Sequence, residues 1–203
     1  MTLLGPEALI IRNGIAEGCE EQFVRWHTFE HIDERLAVPG FLRARRFRAV
    51  SSSPNWLTLY ETKEGALRSQ AYKQRLEAPT EATREMISVF RNSERAICNV
   101  RRSSGSGIGG ALLALNCSHA DSDKLRSYDT HIDVVASHVL DADIEASAVR
   151  SAEKALLQSP DRIPSAVLLF EGTSVESLKL LRDTLGCGEL FQLEIVQRRV
   201  GAC

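Results

Sequence analysis

Two histidines and two glutamates fall within one short stretch: His27, Glu30, His31 and Glu34. At about 100° per residue, a helix gathers them in an arc of roughly 100°. Imidazoles beside carboxylates can relay protons, because a carboxylate raises a neighbouring histidine pKa and holds its tautomer. The strip therefore predicts His27 or His31 as acid/base, with Glu30 or Glu34 orienting it. The plainer reading is a solvated face, since polar strips flank most amphipathic helices. His27-Thr28-Phe29-Glu30-His31 also has the His-x-x-Glu-His spacing that can grip a zinc ion. No downstream motif offers a third ligand, so no metal is expected.

Arg43, Arg45, Arg46 and Arg48 follow on one extended stretch. Strand alternation sends Arg43 and Arg45 to one face and Arg46 and Arg48 to the other. A buried pair of guanidinium groups suits a carboxylate or enolate ligand. Charges that guard an edge strand are the competing explanation, as are ion pairs to Glu30 and Glu34. Trp56, Thr58 and Tyr60 share a strand face, so Trp56 and Tyr60 could wall an aromatic pocket, although such residues are more often core.

These residues need a scaffold. Glu7–Asn13 reads as a strand and Cys19–Leu36 as a long helix that stops before Pro39-Gly40. On that helix Cys19, Phe23, Trp26, Phe29, Ile32 and Leu36 form the apolar half. Phe41–Val50 and Asn55–Thr62 read as a hairpin around the Ser51–Pro54 cluster. Helical pieces at Glu64–Lys73 and Glu81–Phe90, broken at Ala78-Pro79, precede a strand at Arg95–Arg102. This is the β-α-β-β-α-β order of a ferredoxin-like unit.

The chain then repeats itself. Ala8–Asn13 returns as Ala111–Asn116, Leu57–Glu61 as Val167–Glu171, and Asn99–Arg102 as Val196–Arg199. Trp26–Asp33 has a looser echo in Tyr128–Asp133. The second half reads as strand Ala111–Cys117, helix Ser122–Ser137, strands His138–Ala146 and Ser165–Gly172, helix Val175–Leu185 and strand Leu190–Val200. Ser151–Pro164 adds a helical turn and loop. The expected organisation is repeat 1 over residues 1–102, a Gly/Ser linker over 103–110 and repeat 2 over 111–203. The linker contains Gly105-x-Gly107-x-x-Gly110, but a strand rather than a helix follows it, against a nucleotide site. Each unit would leave one sheet face bare. Apolar runs such as Leu9-Ile10-Ile11 demand cover on both faces, which the two halves can give each other.

A net charge of −2 leaves no electrostatic footprint for nucleic acid or an anionic membrane. No apolar run approaches a bilayer span. Five scattered cysteines without a Cys-x-x-Cys pair point to a reducing cytoplasm. Cys98 and Cys117 read as inert core residues.

Trp26-x4-His31-x2-Glu34-Arg35-x3-Pro39-Gly40-Phe41-Leu42-x-Ala44-Arg45-Arg46-Phe47, then Leu57–Glu61 and Ala71-Tyr72-x3-Leu76-x2-Pro79-Thr80, resemble the dimeric α+β barrel superfamily, and within it EthD-like and related uncharacterised bacterial members. The resemblance covers residues 7–102 well and 110–200 weakly. It implies an α+β fold: a tandem duplication of ferredoxin-like units in a dimeric α+β barrel-type architecture. The implied functions range over cofactor-independent oxygenases, isomerases, haem proteins and members without known activity. The resulting expectation is a small-molecule enzyme acting on a partly apolar ring compound. Its catalytic residues would be His27, His31, Glu30 and Glu34, its substrate-binding residues Arg43, Arg45, Trp56 and Tyr60, and it would need no cofactor. The alternative is a non-catalytic ligand-binding or interaction module. A further homodimer of the whole chain is left open.

Overall fold

Eight strands form among the described residues and close on themselves. The computed structural model describes residues 3–51 and 55–199, excepting the side chains at 119 and 120. The Ser52–Pro54 turn, the last residue of the predicted final strand and Cys203 lie outside them. The strands are β1 Glu7–Ile15, β2 Phe41–Ala49, β3 Trp56–Thr62, β4 Phe90–Gly105, β5 Ala111–Cys117, β6 Val134–Ala142, β7 Ala166–Gly172 and β8 Glu189–Arg198. Every pair is antiparallel, in the cyclic order β1-β3-β2-β8-β5-β7-β6-β4. Each half contributes the ferredoxin-like order, β4-β1-β3-β2 and β8-β5-β7-β6. The two bare faces meet, and their edges also hydrogen-bond, β2 to β8 and β4 to β6. Ala8, Ile10, Phe47, Leu57, Leu59, Leu112, Leu140, Val167, Leu169 and Phe191 fill the middle of the barrel. Closure removes strand edges that would otherwise invite aggregation.

The first helix is continuous in space but changes geometry. α1 Glu20–Trp26 passes into a π-helical turn at His27–His31 and then α2 Ile32–Leu36. α3 Gln70–Glu77 and α4 Glu81–Ser88 are capped by the hydroxyls of Ser69 and Thr80 on either side of the Pro79 break. Gly65, at φ +74°, ends a preceding coil before a short 3-10 turn at Ala66–Arg68, so the predicted Glu64 helix starts late.

The second half departs further from expectation. Its predicted helix over 122–137 is α5 His119–Lys124 followed by a 3-10 turn, Leu125–Thr130. That turn buries no side chain, and Ile132 is 94% exposed. Leu125 and Tyr128 pack only partly buried on the core, and the β-branched Thr130, Ile132, Val134 and Val135 favour extended backbone, so β6 begins at Val134. α6 Ile144–Ala148 and a 3-10 turn at Lys154–Leu156 occupy the β6–β7 connection, and α7 Val175–Leu185 follows β7. No helix is long and apolar enough to cross a membrane.

Strand register corrects two of the sequence repeats. Ala8 pairs with Glu61 and Leu112 pairs with Glu171, so Leu112, not Ala111, is the equivalent of Ala8. A one-residue slip exchanges the two faces of a strand. Likewise Cys98 and Phe191 occupy equivalent positions against β1 and β5. Asn99–Arg102 therefore matches 192–195 rather than 196–199. Both strands bulge at the same place, Arg101 on β4 and Glu194 on β8.

Candidate functional site

The π-helical turn decides where the two histidines point. A π turn holds one residue more than an α turn. Ile32 N–H accordingly donates to His27 O, five residues back. The extra residue swings His27 and His31 inward together, 4% and 6% exposed, with ring centroids 5.6 Å apart. It swings Phe29 outward, 76% exposed, against the expectation that Phe29 shares the buried face.

His27 lies under the helix against the outer face of the sheet. Arg46 Nη1 donates to His27 Nδ1 at 3.3 Å, and His27 Nε2 faces Thr58 Oγ1 at 3.5 Å. Arginine can only donate, which assigns the proton of the neutral ring to Nε2. His31 stacks beside Trp26, with centroids 4.3 Å apart, and its buried Nδ1 has no hydrogen-bond partner. Burial holds both imidazoles well below the usual histidine pKa, helped for His27 by Arg46 and for His31 by Arg35. Both rings are neutral.

The glutamates turn elsewhere. Glu30 accepts from the Thr80 hydroxyl at 2.8 Å. Glu34 pairs with Arg75 at 3.5 Å, and burial raises its pKa despite that partner. The predicted cluster of four thus separates into two inward histidines and two glutamates tied to neighbouring helices.

Arg43 and Arg45 sit inside the barrel, and their partners are the protein's own carboxylates. Arg43 grips Glu61 through two bonds of 2.7 Å. Arg45 bridges Glu61, at 3.1 Å, and Glu171, at 2.7 Å. His138 joins Glu171 at 2.9 Å and Ser103 at 2.9 Å. The linker closes this end, with Gly109 N–H donating to Glu171 at 2.8 Å. A side chain at Gly109 would come within 2.5 Å of the Gly172 carbonyl, so only glycine allows that approach. Burial raises the Glu171 pKa, but the His138 hydrogen bond and the Arg45 charge outweigh it and hold it at about 2. β2 is not an edge strand, since β3 and β8 flank it.

Trp56 packs on Phe23 at 4.7 Å, and Tyr60 on Phe41 at 5.8 Å, both between sheet and helices. Burial raises the Tyr60 pKa. Burial also pushes the Cys98 thiol up to about 12.

A cleft opens where His31 meets the sheet. Ile11 and Arg95 form its floor, Trp26, His31 and Leu76 its helical wall, and Glu153, Lys154 and Leu157 its far side. It is narrow, about 50 Å³. Its far side belongs to the second half of the chain. The β6–β7 connection crosses over the first half, with Glu153 N–H donating to Leu76 O and Arg162 N–H to Ser93 O, each at 3.0 Å. Arg35 forms an ion pair with Glu153. The equivalent β2–β3 connection spans only residues 50–55. Sequence reasoning missed Arg95 and Lys154. The available signal was the extra length at Ser151–Pro164, an insertion without a partner in the other repeat.

Among solved structures, the chain is similar to an anthrone oxidase-like protein at 9% identity, over 100% of this chain and 98% of that one, with a TM-score of 0.65. It has the dimeric α+β barrel fold, both halves on one polypeptide. A chlorite dismutase-like barrel matches at 13% identity over 93% of this chain and 94% of that one, with a TM-score of 0.54. A monooxygenase-like barrel of Fusobacterium nucleatum subsp. nucleatum matches at 7% identity over 98% and 97%, with a TM-score of 0.51. No family model and no curated protein matches the chain. At such identities the shared barrel speaks for architecture, not chemistry. Among the described residues, no group of three or more His, Cys, Asp or Glu could hold a metal ion.

Proposed function

We propose that this barrel is a cofactor-independent enzyme that removes a proton from a small, partly apolar ring compound, in isomerisation or in oxygenation by dioxygen. One observation carries the reading: the neutral imidazole of His31, its Nδ1 unpartnered, lies in a cleft that also holds Arg95. A neutral imidazole has its lone pair free to accept a proton at pH 7, although burial and Arg35 weaken it as a base. Trp26 and Ile11 give a ring an apolar surface, and the Arg95 charge on the same cleft favours an anionic substrate. In this reading His31 is the base and His27 supports it from behind. Glu30, Glu34, Trp56 and Tyr60 position the helix and sheet, while Arg43 and Arg45 hold the barrel closed. The neighbour described as anthrone oxidase-like supports a ring substrate, and the one described as a monooxygenase supports oxygenation, by analogy of fold alone. Cytosolic action fits the free Cys19, Cys98, Cys117 and Cys187. A homodimer would use outer surfaces, because the barrel already closes within one chain.

The test is a panel of anthrones and naphthols, followed by dioxygen uptake and by exchange of substrate hydrogen for solvent deuterium. His31→Gln is expected to lower turnover about 10²–10⁴-fold, the usual share of general-base catalysis. Full turnover by that variant would favour the binding-module alternative.

A further inference from the structure

Beside the His31 cleft, sharing Leu76, Arg95 and Lys154 with it, lies a half-open pocket of about 340 Å³, within the range of small-molecule pockets. Leu67, Tyr72, Leu76 and Ile97 give it apolar walls. Arg95 and Lys154 border both spaces.

The charges here do not balance. The buried arginines among the described residues are Arg12, Arg35, Arg43, Arg45, Arg46 and Arg95. The first five each have a carboxylate within 4 Å. Arg95, 9% exposed, has none among the described residues; its Nη2 donates to the Tyr72 hydroxyl at 2.9 Å. Half-buried Lys154 donates to the Ser147 carbonyl and likewise has no carboxylate within 4 Å among the described residues. The acidic groups on these walls are engaged or peripheral. Asp143 is held by Arg68, Glu153 by Arg35, Asp161 accepts from Ser93 at 2.6 Å, and Glu145 is exposed at the rim. Buried charges are almost always paired, because desolvation without a partner costs several kcal/mol. Among the described residues, Asp161 is the one carboxylate of the cleft that no ion pair neutralises, and it acts on Lys154 only from beyond 4 Å; two cations that share a cavity with no carboxylate in contact call for an anion from outside. Burial and then the Arg95 charge lower the Lys154 pKa, and the Asp161 charge offsets them only in part.

We propose that Arg95 and Lys154 clamp a carboxylate borne by the substrate, an aromatic or alicyclic acid whose ring extends toward His31. This rests on reading the cleft as the substrate site. A carboxylate fits better than a phosphate dianion. The planar guanidinium fork matches its two oxygens, and the four nearby acidic groups repel a dianion more strongly. The second half of the chain therefore supplies a specificity residue, Lys154, to a site built on the first.

Calorimetric titration at pH 7.5 with 2-naphthoate, 2-naphthamide and inorganic phosphate tests the clamp. Naphthoate is expected to bind about tenfold or more tightly than the isosteric amide, with Arg95→Gln and Lys154→Gln each losing about that factor. Exposed Arg150→Gln, on the same connection, is expected to bind as the parent does. Unliganded Arg95→Gln is expected to melt no lower than the parent, since it sheds an unpaired buried charge. Equal affinity for amide and carboxylate, preference for phosphate, undiminished binding by Arg95→Gln, or a drop in its melting temperature would each overturn the proposal. Binding is read without turnover. Failure here leaves the His31 chemistry standing, and failure of His31→Gln to affect turnover leaves the clamp standing.

Discussion

Each histidine on the first helix carries a cost that pH can reveal. His27 and His31 are buried and neutral, with pKa values pushed below the unfolded 6.5 chiefly by desolvation. Below pH 6.5 the unfolded chain binds protons that the folded chain refuses, so stability falls as pH drops. Above 6.5 both states are neutral and the effect vanishes. The expected slope approaches about 1.4 kcal/mol per pH unit for each histidine. Urea unfolding at pH 7.5 and 5.5 measures it. His27→Gln with His31→Gln should flatten the slope, and an unchanged slope would assign it to other groups. The residues themselves were visible in the sequence; their neutrality was not. Proximity to Glu30 and Glu34 suggested raised pKa values, whereas the folded chain puts Arg35 and Arg46 beside the rings and the glutamates beside Arg75 and Thr80.

At the level of elements, the π turn is the feature that a 3.6-residue periodicity hides. A regular helix through Glu20–Leu36 would bury Phe29; the structure exposes it and buries both histidines instead. Removing the exposed Phe29 altogether should convert the π turn to α while keeping α1 and α2 in phase. The melting temperature is expected to hold, because no core side chain is lost. Turnover is expected to fall, because the deletion brings His27 and His31 from four residues apart to three and resets the two rings relative to each other over the sheet. Circular dichroism, melting and dioxygen uptake on the deletion variant check this, and full activity would remove the π turn from the mechanism. The strands were more legible. Alternation placed Arg43 and Arg45 on one face and Arg46 and Arg48 on the other, as found. What alternation could not supply was the partner, because Glu171 comes from the opposite half.

Across the whole molecule, the barrel joins its halves through buried ions as well as apolar contact. Arg45 spans Glu61 of one half and Glu171 of the other, both fully buried. Arg45→Met leaves two buried carboxylates undercompensated, and is expected to cost about 3 kcal/mol in urea unfolding. A loss near zero would mean Arg43 and His138 suffice. Acid should attack the same joint. The Glu171 carboxyl titrates near 4.5 unfolded and about 2 folded. Between those values the unfolded state holds the extra proton, so the stability present above pH 4.5 drains away toward pH 2. Glu171→Gln should remove that part of the acid sensitivity.

The sequence by itself determined the strand order, the duplicated ferredoxin-like plan and the need for two sheet faces to cover each other. Those follow from local turn chemistry and from apolar runs too long to leave wet. The tertiary structure alone decided the register of the repeats, the inward turn of the histidines and the meeting of Arg95 with Lys154. A one-residue slip or a one-residue bulge changes no composition and little periodicity, yet it reverses which side chains are buried. The cleft is assembled from segments some sixty residues apart in the chain, Arg95 and Lys154, and only the closed barrel makes them neighbours.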